Sequence, residues 1–412
     1  MGQRINLQAI VRPHIVALEK FMPNLPDSIQ TRPKIPLDAN ENALGSCLTS
    51  HNPDGASNSV DDDHVSMLHF SNSLDLHRYP SRSMRYLKQQ IATAKGLPDS
   101  YTERISLGTG SSELIEVLIR LTCAPFEDAI LVTSPTYPLY GNRAAVNGVQ
   151  VIESELNFAN NEFRLNTADM VNTLKRNGNI KLIFLASPNN PTASLIPLHQ
   201  IWQILQSQAL KGLLVVDEAY IDFAPNPDKM SALQLLDQFP NLVVLQSLSK
   251  APGLAGIRLG IAYAHEFITE MLQKIQTPFS ISSPTAALAI KALSPIHQHS
   301  CKAAVAEIIQ NREDLIRSLS REAFAAARAG PPLGGSAANF IVLPIWSVDG
   351  PKGVRDDGRA RRVCEVLEAE HDTAVRYIGS TKGCEGCIRI TVGTREENNS
   401  LVRNLTTVLR RK

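Results

Sequence analysis

"GLLVVDEAY", residues 212–220, decides the fold: an apolar, β-branched run closes without interruption on two acids and a tyrosine. Continuous apolar runs, as opposed to alternating ones, read as strands buried on both faces. Four more runs share the pattern: "AILVTS" (129–134), "KLIFLAS" (181–187), "NLVVLQS" (241–247) and "LGIAYA" (259–264). Helical patterns fall between them. Strand and helix in turn predict an α/β fold, with a mostly parallel sheet flanked by helices on both sides. From residue 303, helical patterns surround two late strands, "NFIVLPI" (339–345) and "CIRITVG" (387–393), which predicts a smaller α/β unit. The expected division is an N-terminal segment at 1–75 packing on the other units, a large domain at 76–300 and a small C-terminal domain at 301–412. The N-terminal segment is short and needs a further surface to pack on, such as a partner subunit.

The chain has 412 residues, 43% hydrophobic content and a net charge of +1, enough for a large core and without the basic face that nucleic acid requires. Its longest apolar run falls short of the ~20 residues that cross a bilayer. The stretch "MGQRINLQAIVRPHIVALEK" lacks the apolar centre of a signal peptide. Pro13 and Glu19 interrupt the basic amphipathic pattern of a mitochondrial address, and Asn6 stands where myristoylation needs a hydroxyl. Six scattered cysteines do not make a disulfide framework, so a cytoplasmic, reducing location is expected. The one close pair, Cys384 and Cys387 in "CEGC", lacks the second pair or histidines of a zinc site, so no metal is expected. Residues 45–64, rich in Ser, Asn, Asp and Gly, read as an inserted loop, and 347–359 as a second one.

The polar ends of three buried strands carry the chemistry: Asn189 and Asn190; Asp217, Glu218 and Tyr220; Ser247, Ser249 and Lys250. In an open α/β sheet the ligand crevice lies beyond the carboxyl ends of the strands, so the three clusters converge. A lysine in a crevice near Arg258 has its ammonium form disfavoured, and the free amine attacks carbonyls. A carboxylate ending a buried strand needs a cation or a donor, and Asp217 could hold the proton of a pyridinium nitrogen. In "LGTGSSELIEVLIRL" (107–121), Gly108 and Gly110 make a tight turn, and Leu114, Leu118 and Leu121 mark one face of a helix starting near Ser111. Free N–H groups at that helix start favour a phosphate, joined by Arg258, Ser247 and Ser249. A phosphate, a pyridinium and an aldehyde trapped by lysine together describe pyridoxal 5′-phosphate.

On these residues the chain resembles the fold-type I pyridoxal-phosphate-dependent aminotransferases of class II, and within them the histidinol-phosphate branch. The matching stretches are "LDANENALG" (37–45), "HRYPSR" (77–82), "GTGSSE" (108–113), "SPTYPLY" (134–140), "SPNNPT" (187–192), "VVDEAYIDF" (215–223), "SLSKAPGLAGIRLG" (247–260), "SAANFIVL" (336–343) and "GCIRITVGTREEN" (386–398). The eight-residue Lys-to-Arg spacing belongs to the superfamily; "LDANENALG" and "IRITVGTREEN" belong to the branch. The resemblance implies a role for each matched position. Lys250 would hold the cofactor aldehyde as a Schiff base and shuttle the reaction's proton. Asp217 would keep the pyridine nitrogen protonated. Asn190 and Tyr220 would bond the ring's 3′ oxygen, and Tyr137 would stack on its face. Gly110, Ser111, Ser112, Ser247, Ser249 and Arg258 would seat the phosphate, with Tyr79 reaching it from the other subunit of a homodimer. Asn40, Arg376 and Arg389 would meet the substrate, Arg389 gripping its distal anion. Asn339 reads as a structural polar group.

The implied reaction is ping-pong transamination between histidinol phosphate or imidazole acetol phosphate and 2-oxoglutarate or glutamate, in histidine biosynthesis. The sequence departs from the family pattern at Phe21, Ala193, Pro252, Phe279 and Ser280, away from Lys250, Asp217 and Arg258. Cofactor chemistry should therefore persist, while the substrate end of the pocket leaves room for other readings. These are transamination of another amino acid, such as an aromatic one; decarboxylation of a phosphorylated amino acid; and a cofactor-binding scaffold without turnover.

Overall fold

The computed structural model describes residues 12–19, 33–48 and 74–411. Phe21 and all but the first residues of the 45–64 insert lie outside the described residues. The strands in chain order are β1 (Ile35–Leu37), β2 (Ile105–Thr109), β3 (Ala129–Ser134), β4 (Gln150–Glu155), β5 (Asn157–Ala159), β6 (Glu162–Arg164), β7 (Ile180–Ala186), β8 (Leu213–Asp217), β9 (Leu242–Ser247), β10 (Leu259–Tyr263), β11 (Phe340–Pro344), β12 (Thr373–Tyr377) and β13 (Cys387–Thr391). Seven of them form one sheet in the order β2-β10-β9-β8-β7-β3-β4. The run β9-β8-β7-β3-β4 is parallel. β10 is antiparallel to both β2 and β9. A second sheet of four strands runs β1-β12-β13-β11, and β5 with β6 forms a short hairpin. The fold is α/β, with the mostly parallel sheet that the apolar runs predict.

The apolar runs are continuous because both sheet faces are covered. Side chains alternate faces along a strand. Leu214 and Val216 of β8 join one buried cluster, whereas Leu213 and Val215 join the other. β9 divides the same way, with Leu242 and Val244 on the first side and Val243 and Leu245 on the second. Each such side chain contributes ~1.5–3 kcal/mol through burial. The same parity places the residues beyond the strand end. Asp217 continues the Leu213–Val215 side, beneath the helix Gly110–Thr122, and Glu218 turns to the opposite side.

Within the N-terminal segment, β1 adds an edge strand to the small sheet of its own chain, with Ile35 opposite Thr373 and Leu37 opposite Val375. Leu37 is buried among Leu315, Ile341 and Leu401 of the small sheet's core. One helix, Pro295–Leu319, runs through residue 301, where the small unit was expected to begin. Its buried Arg312 donates from Nη1 to the carbonyls of Ala338 (2.9 Å) and Phe223 (3.4 Å), tying the start of β11 to the loop after β8.

From β3 the chain moves outward to β4, then returns to β7 and proceeds to β8 and β9 on the other side. The reversal leaves a crevice between the ends of β3 and β7, the usual ligand position in such sheets. Two loops close around it. Asn189 donates from Nδ2 to the Pro135 carbonyl at 3.0 Å, and its Oδ1 accepts from the Thr136 hydroxyl at 3.1 Å. These bonds join the loop that carries Tyr137 to the loop that carries Asn190.

Candidate active site

Asp217 ends β8 and is buried. Its Oδ2 accepts from the Tyr140 hydroxyl at 2.8 Å and its Oδ1 from the Ala219 N–H at 3.2 Å. Burial raises the carboxyl above its ordinary range, opposed by the Tyr140 bond first, then by Ala219 and by the charge of Lys250. A cationic donor arriving at this carboxylate would shift it firmly to the charged form.

Lys250 follows β9 by three residues, at the turn after Ser247. Its Nζ donates to the Ala39 carbonyl at 3.3 Å and lies 5.6 Å from the centre of the Tyr220 ring. Its pKa is lowered to about 8, by burial first and by Arg389 next; Arg258 adds to this, while Glu41 and Asp217 oppose it. The sequence pointed to Arg258 as the depressing cation, but the structure gives the larger share to desolvation and Arg389. Below the pKa the free-amine fraction falls ~10-fold per pH unit. Uptake of pyridoxal phosphate by cofactor-free protein is therefore expected to accelerate ~10-fold between about pH 6 and 7 and to level off above pH 8. Stopped-flow absorbance checks this; a rate flat across that range would remove the free amine as the controlling group.

The helix Gly110–Thr122 begins against the start of β10. Gly110 has φ +74°, and a Cβ there would lie 2.4 Å from the Arg258 guanidinium. Gly260 on β10 is equally constrained: a Cβ would strike the Gly110 carbonyl carbon at 2.3 Å and the Ser111 nitrogen at 2.4 Å. These two glycines let the helix start, the strand and the guanidinium meet. The Gly110 N–H donates to the Arg258 carbonyl at 3.1 Å, holding Arg258 in a left-handed conformation with φ +55°. The Ser247 hydroxyl donates to the Leu259 carbonyl at 3.2 Å and lies 2.8 Å from the Ser249 hydroxyl, beside the same helix start. Ser112 bonds the Tyr137 phenol, whose pKa burial pushes up to about 12.

The small sheet brings the remaining residues. Arg389 on β13 is buried; its Nη1 donates to Asn190 Oδ1 at 2.8 Å and its Nη2 to the Asp38 carbonyl at 2.5 Å. Its Nε has no partner among the described residues. Arg376 lies opposite it on β12 and pairs with the Asp38 carboxylate at 3.6 Å. Asn40, with φ +53°, donates from Nδ2 to the Tyr220 hydroxyl at 3.0 Å and accepts from Thr391 at 3.1 Å. Tyr220 is thus left with its proton free to donate. Asn339 donates to the carbonyls of Asn40 (3.2 Å) and Glu41 (3.1 Å), the structural role the sequence suggested.

One expected residue stands apart within the single chain. Tyr79 is 83% exposed and stacks on Phe279 at 4.9 Å, outside the cleft. Arg258 is exposed at the cleft's mouth. Glu218, one of the strand-end acids, points away; it accepts from Ser231 (2.7 Å), the Ala232 N–H (2.6 Å) and Gln246 (2.9 Å). Cys384 and Cys387 are buried in an apolar cluster, their thiols pushed up to about 12 and about 11, so neither is a ready thiolate. Sequence reading passed over Tyr140 and Asp38. Tyr140 sits three residues after Tyr137, a helical spacing that puts both on one side; Asp38 carried no signal beyond its place in "LDANEN".

The cleft fits pyridoxal phosphate on its own features. A glycine-cleared helix start faces a guanidinium and two hydroxyls, a buried carboxylate keeps room for another donor, and a desolvated amine feels the charges of both Arg258 and Asp217. Comparison with known proteins agrees. The family model for aminotransferase class I and II matches residues 32–405. The histidinol-phosphate aminotransferase of Schizosaccharomyces pombe is 37% identical over 379 residues, 90% of each chain. That of Saccharomyces cerevisiae is 33% identical over 97% of this chain and 96% of its own. The crystal structure of histidinol-phosphate aminotransferase from Sinorhizobium meliloti in complex with pyridoxal-5′-phosphate superposes with a TM-score of 0.77 at 25% identity, covering 97% of both chains. With a matched family and a cleft built for its cofactor, the chain belongs to the class I and II aminotransferases.

Proposed function

We propose that the protein transfers the amino group between histidinol phosphate and 2-oxoglutarate, with imidazole acetol phosphate and glutamate as the other pair. The observation that carries transamination is the desolvated Lys250 amine in one cleft with buried Asp217 and the Gly110–Arg258 helix start. The choice of substrate rests on relatives named histidinol-phosphate aminotransferase at 33–37% identity. When bound, pyridoxal phosphate supplies the electron sink that makes a substrate α-proton acidic.

The chain's own groups do the rest. Lys250 Nζ, with its pKa lowered to about 8, takes the α-proton and returns it, a task suited to a base poised near neutral pH. Asp217 holds a proton at the ring nitrogen. Tyr220, oriented by Asn40, and Asn190, oriented by Arg389, address the ring's 3′ oxygen. Tyr137 covers the ring face. Gly110, Ser111, Ser112, Ser247, Ser249 and Arg258 receive the phosphate. Arg389, with its spare Nε, and Arg376 beside it give two guanidinium groups for anionic substrates. This reading gives cofactor binding to residues 76–300 and substrate closure to 301–412 with the 1–75 segment. It makes the assembly a homodimer, because exposed Tyr79 needs a second chain's cleft to serve a phosphate. Among the described residues no helix is long and apolar enough to cross a membrane, and a cytoplasmic site of action suits the reaction.

Half-reactions on the yellow holoenzyme test the substrate. Histidinol phosphate and glutamate should each convert the bound cofactor to its amine form, and histidinol phosphate should do so with the highest kcat/KM in a panel with phenylalanine and phosphothreonine. Phenylalanine leading the panel would favour an aromatic transaminase. Carbon dioxide from phosphothreonine, with no response to glutamate, would make the enzyme a decarboxylase.

A further inference from the structure

We propose that Tyr140 is a positioning residue whose hydroxyl orients the Asp217 carboxylate and holds it as the anion that keeps the cofactor's ring nitrogen protonated. The inference rests on the reading that Asp217 meets that nitrogen, and it assigns the neighbour that makes this possible.

Tyr140 is fully buried in the helix Leu139–Val146. Its ring lies flat on Phe184 of β7, centres 4.7 Å apart and planes 6° from parallel, and meets Tyr137 edge-on at 5.6 Å. Two aromatic contacts of this kind border the ring, and its hydroxyl reaches the Asp217 carboxylate. Its one hydrogen bond among those described is the 2.8 Å donation to Asp217 Oδ2. A phenylalanine would fill the same space. A buried hydroxyl adds desolvation cost unless it is bonded, so the oxygen is there for the carboxylate. The phenol is pushed well above its ordinary range, by burial and then by the Asp217 charge, so it keeps its proton and acts only as a donor.

At the carboxylate the two protein donors are spread one to each oxygen, Tyr140 on Oδ2 and the Ala219 N–H on Oδ1. The plane of the group is thereby set, and lone pairs remain for a third donor. Burial alone would drive Asp217 toward the neutral acid, which cannot hold a pyridinium proton as a counter-ion. The Tyr140 bond is the largest influence opposing burial. Tyr140 thus acts on the ring through Asp217 and touches neither substrate nor phosphate.

The experiment uses holoenzyme reconstituted with pyridoxal phosphate labelled with ¹⁵N in the ring, comparing wild type, Tyr140→Phe and Phe184→Leu. In wild type the ring-nitrogen signal should be that of a protonated pyridine. Tyr140→Phe should move it toward the unprotonated position at neutral pH and lower kcat ~10- to 100-fold, the range for losing one hydrogen bond to a charged group, with substrate KM little changed. Phe184→Leu disturbs the packing but keeps the hydroxyl, and should leave the nitrogen signal at its wild-type position even where melting temperature falls. A wild-type signal and kcat in Tyr140→Phe would overturn the positioning role, as would equal shifts in both variants. An unprotonated nitrogen in the wild type would overturn it differently, by removing the contact between Asp217 and the ring on which it rests.

Discussion

Lys250→Ala should lose transaminase turnover by ~10³-fold or more, because one nitrogen serves both as covalent anchor and as base. The variant should fold. Lys250 gives up one described hydrogen bond, 3.3 Å to the Ala39 carbonyl, and a charged group that burial already disfavours. Its melting temperature should therefore stay close to that of the wild-type apoprotein. Pyridoxal phosphate should still bind through the phosphate seat at Gly110 and Arg258, but dialysis should remove it. Steady-state turnover with glutamate and 2-oxoglutarate, together with calorimetry of the apoprotein, checks both halves. Turnover within tenfold of wild type would place the base on another group. A collapsed melting transition would mean that Lys250 is structural.

Asp217→Asn should cut kcat by ~10²- to 10³-fold, the usual cost of removing one preorganised electrostatic partner. The substitution keeps shape and size. An amide oxygen at the Oδ2 position can still accept from Tyr140, so the packing of Tyr140 on Phe184 survives. What is lost is the negative charge that a ring proton requires. The bound cofactor should keep its link to Lys250, and cofactor affinity should fall far less than kcat. Pre-steady-state half-reactions separate the two effects. Equal losses in affinity and kcat would reduce Asp217 to a simple binding contact.

The centre of the molecule was legible in the chain because burial on two faces leaves a plain mark. The runs that become β3, β7, β8 and β9 have unbroken apolar centres (129–132, 182–186, 213–216 and 242–245), and a polar residue at the end of such a run stands out. Strand parity then tells Asp217 from Glu218, a distinction available from "LLVVDE" itself once both faces are known to be covered. Edges leave a weaker mark. β4 carries Gln150, Glu153 and Glu155 because one flank meets solvent, and β12 contains Arg376 within five residues, so neither read as a strand. The direction of β10 was silent as well, since "LGIAYA" is equally apolar whether it runs with its neighbours or against them.

The site divides along the same line. Residues from strand ends and the glycine turn could be named because the chemistry demands their types. The supporting contacts arise between elements far apart in sequence: Asn40 to Tyr220 spans 180 residues, and Arg389 to Asn190 spans 199. No local pattern encodes such a meeting. Ala193 shows a further limit. It was noted as a departure from glycine, and it adopts φ +53° in a fully buried loop, so the chain keeps the backbone shape while giving up the residue that suits it best.

The account rests on Lys250 being the one lysine that takes the cofactor. Borohydride reduction of the holoenzyme, followed by proteolysis and tandem mass spectrometry, addresses it directly. The pyridoxyl mass should appear on the peptide containing Lys250, at close to one label per chain, and should vanish in Lys250→Ala. A label on any other lysine, or a reduced protein with no label at all, would contradict the account at its centre.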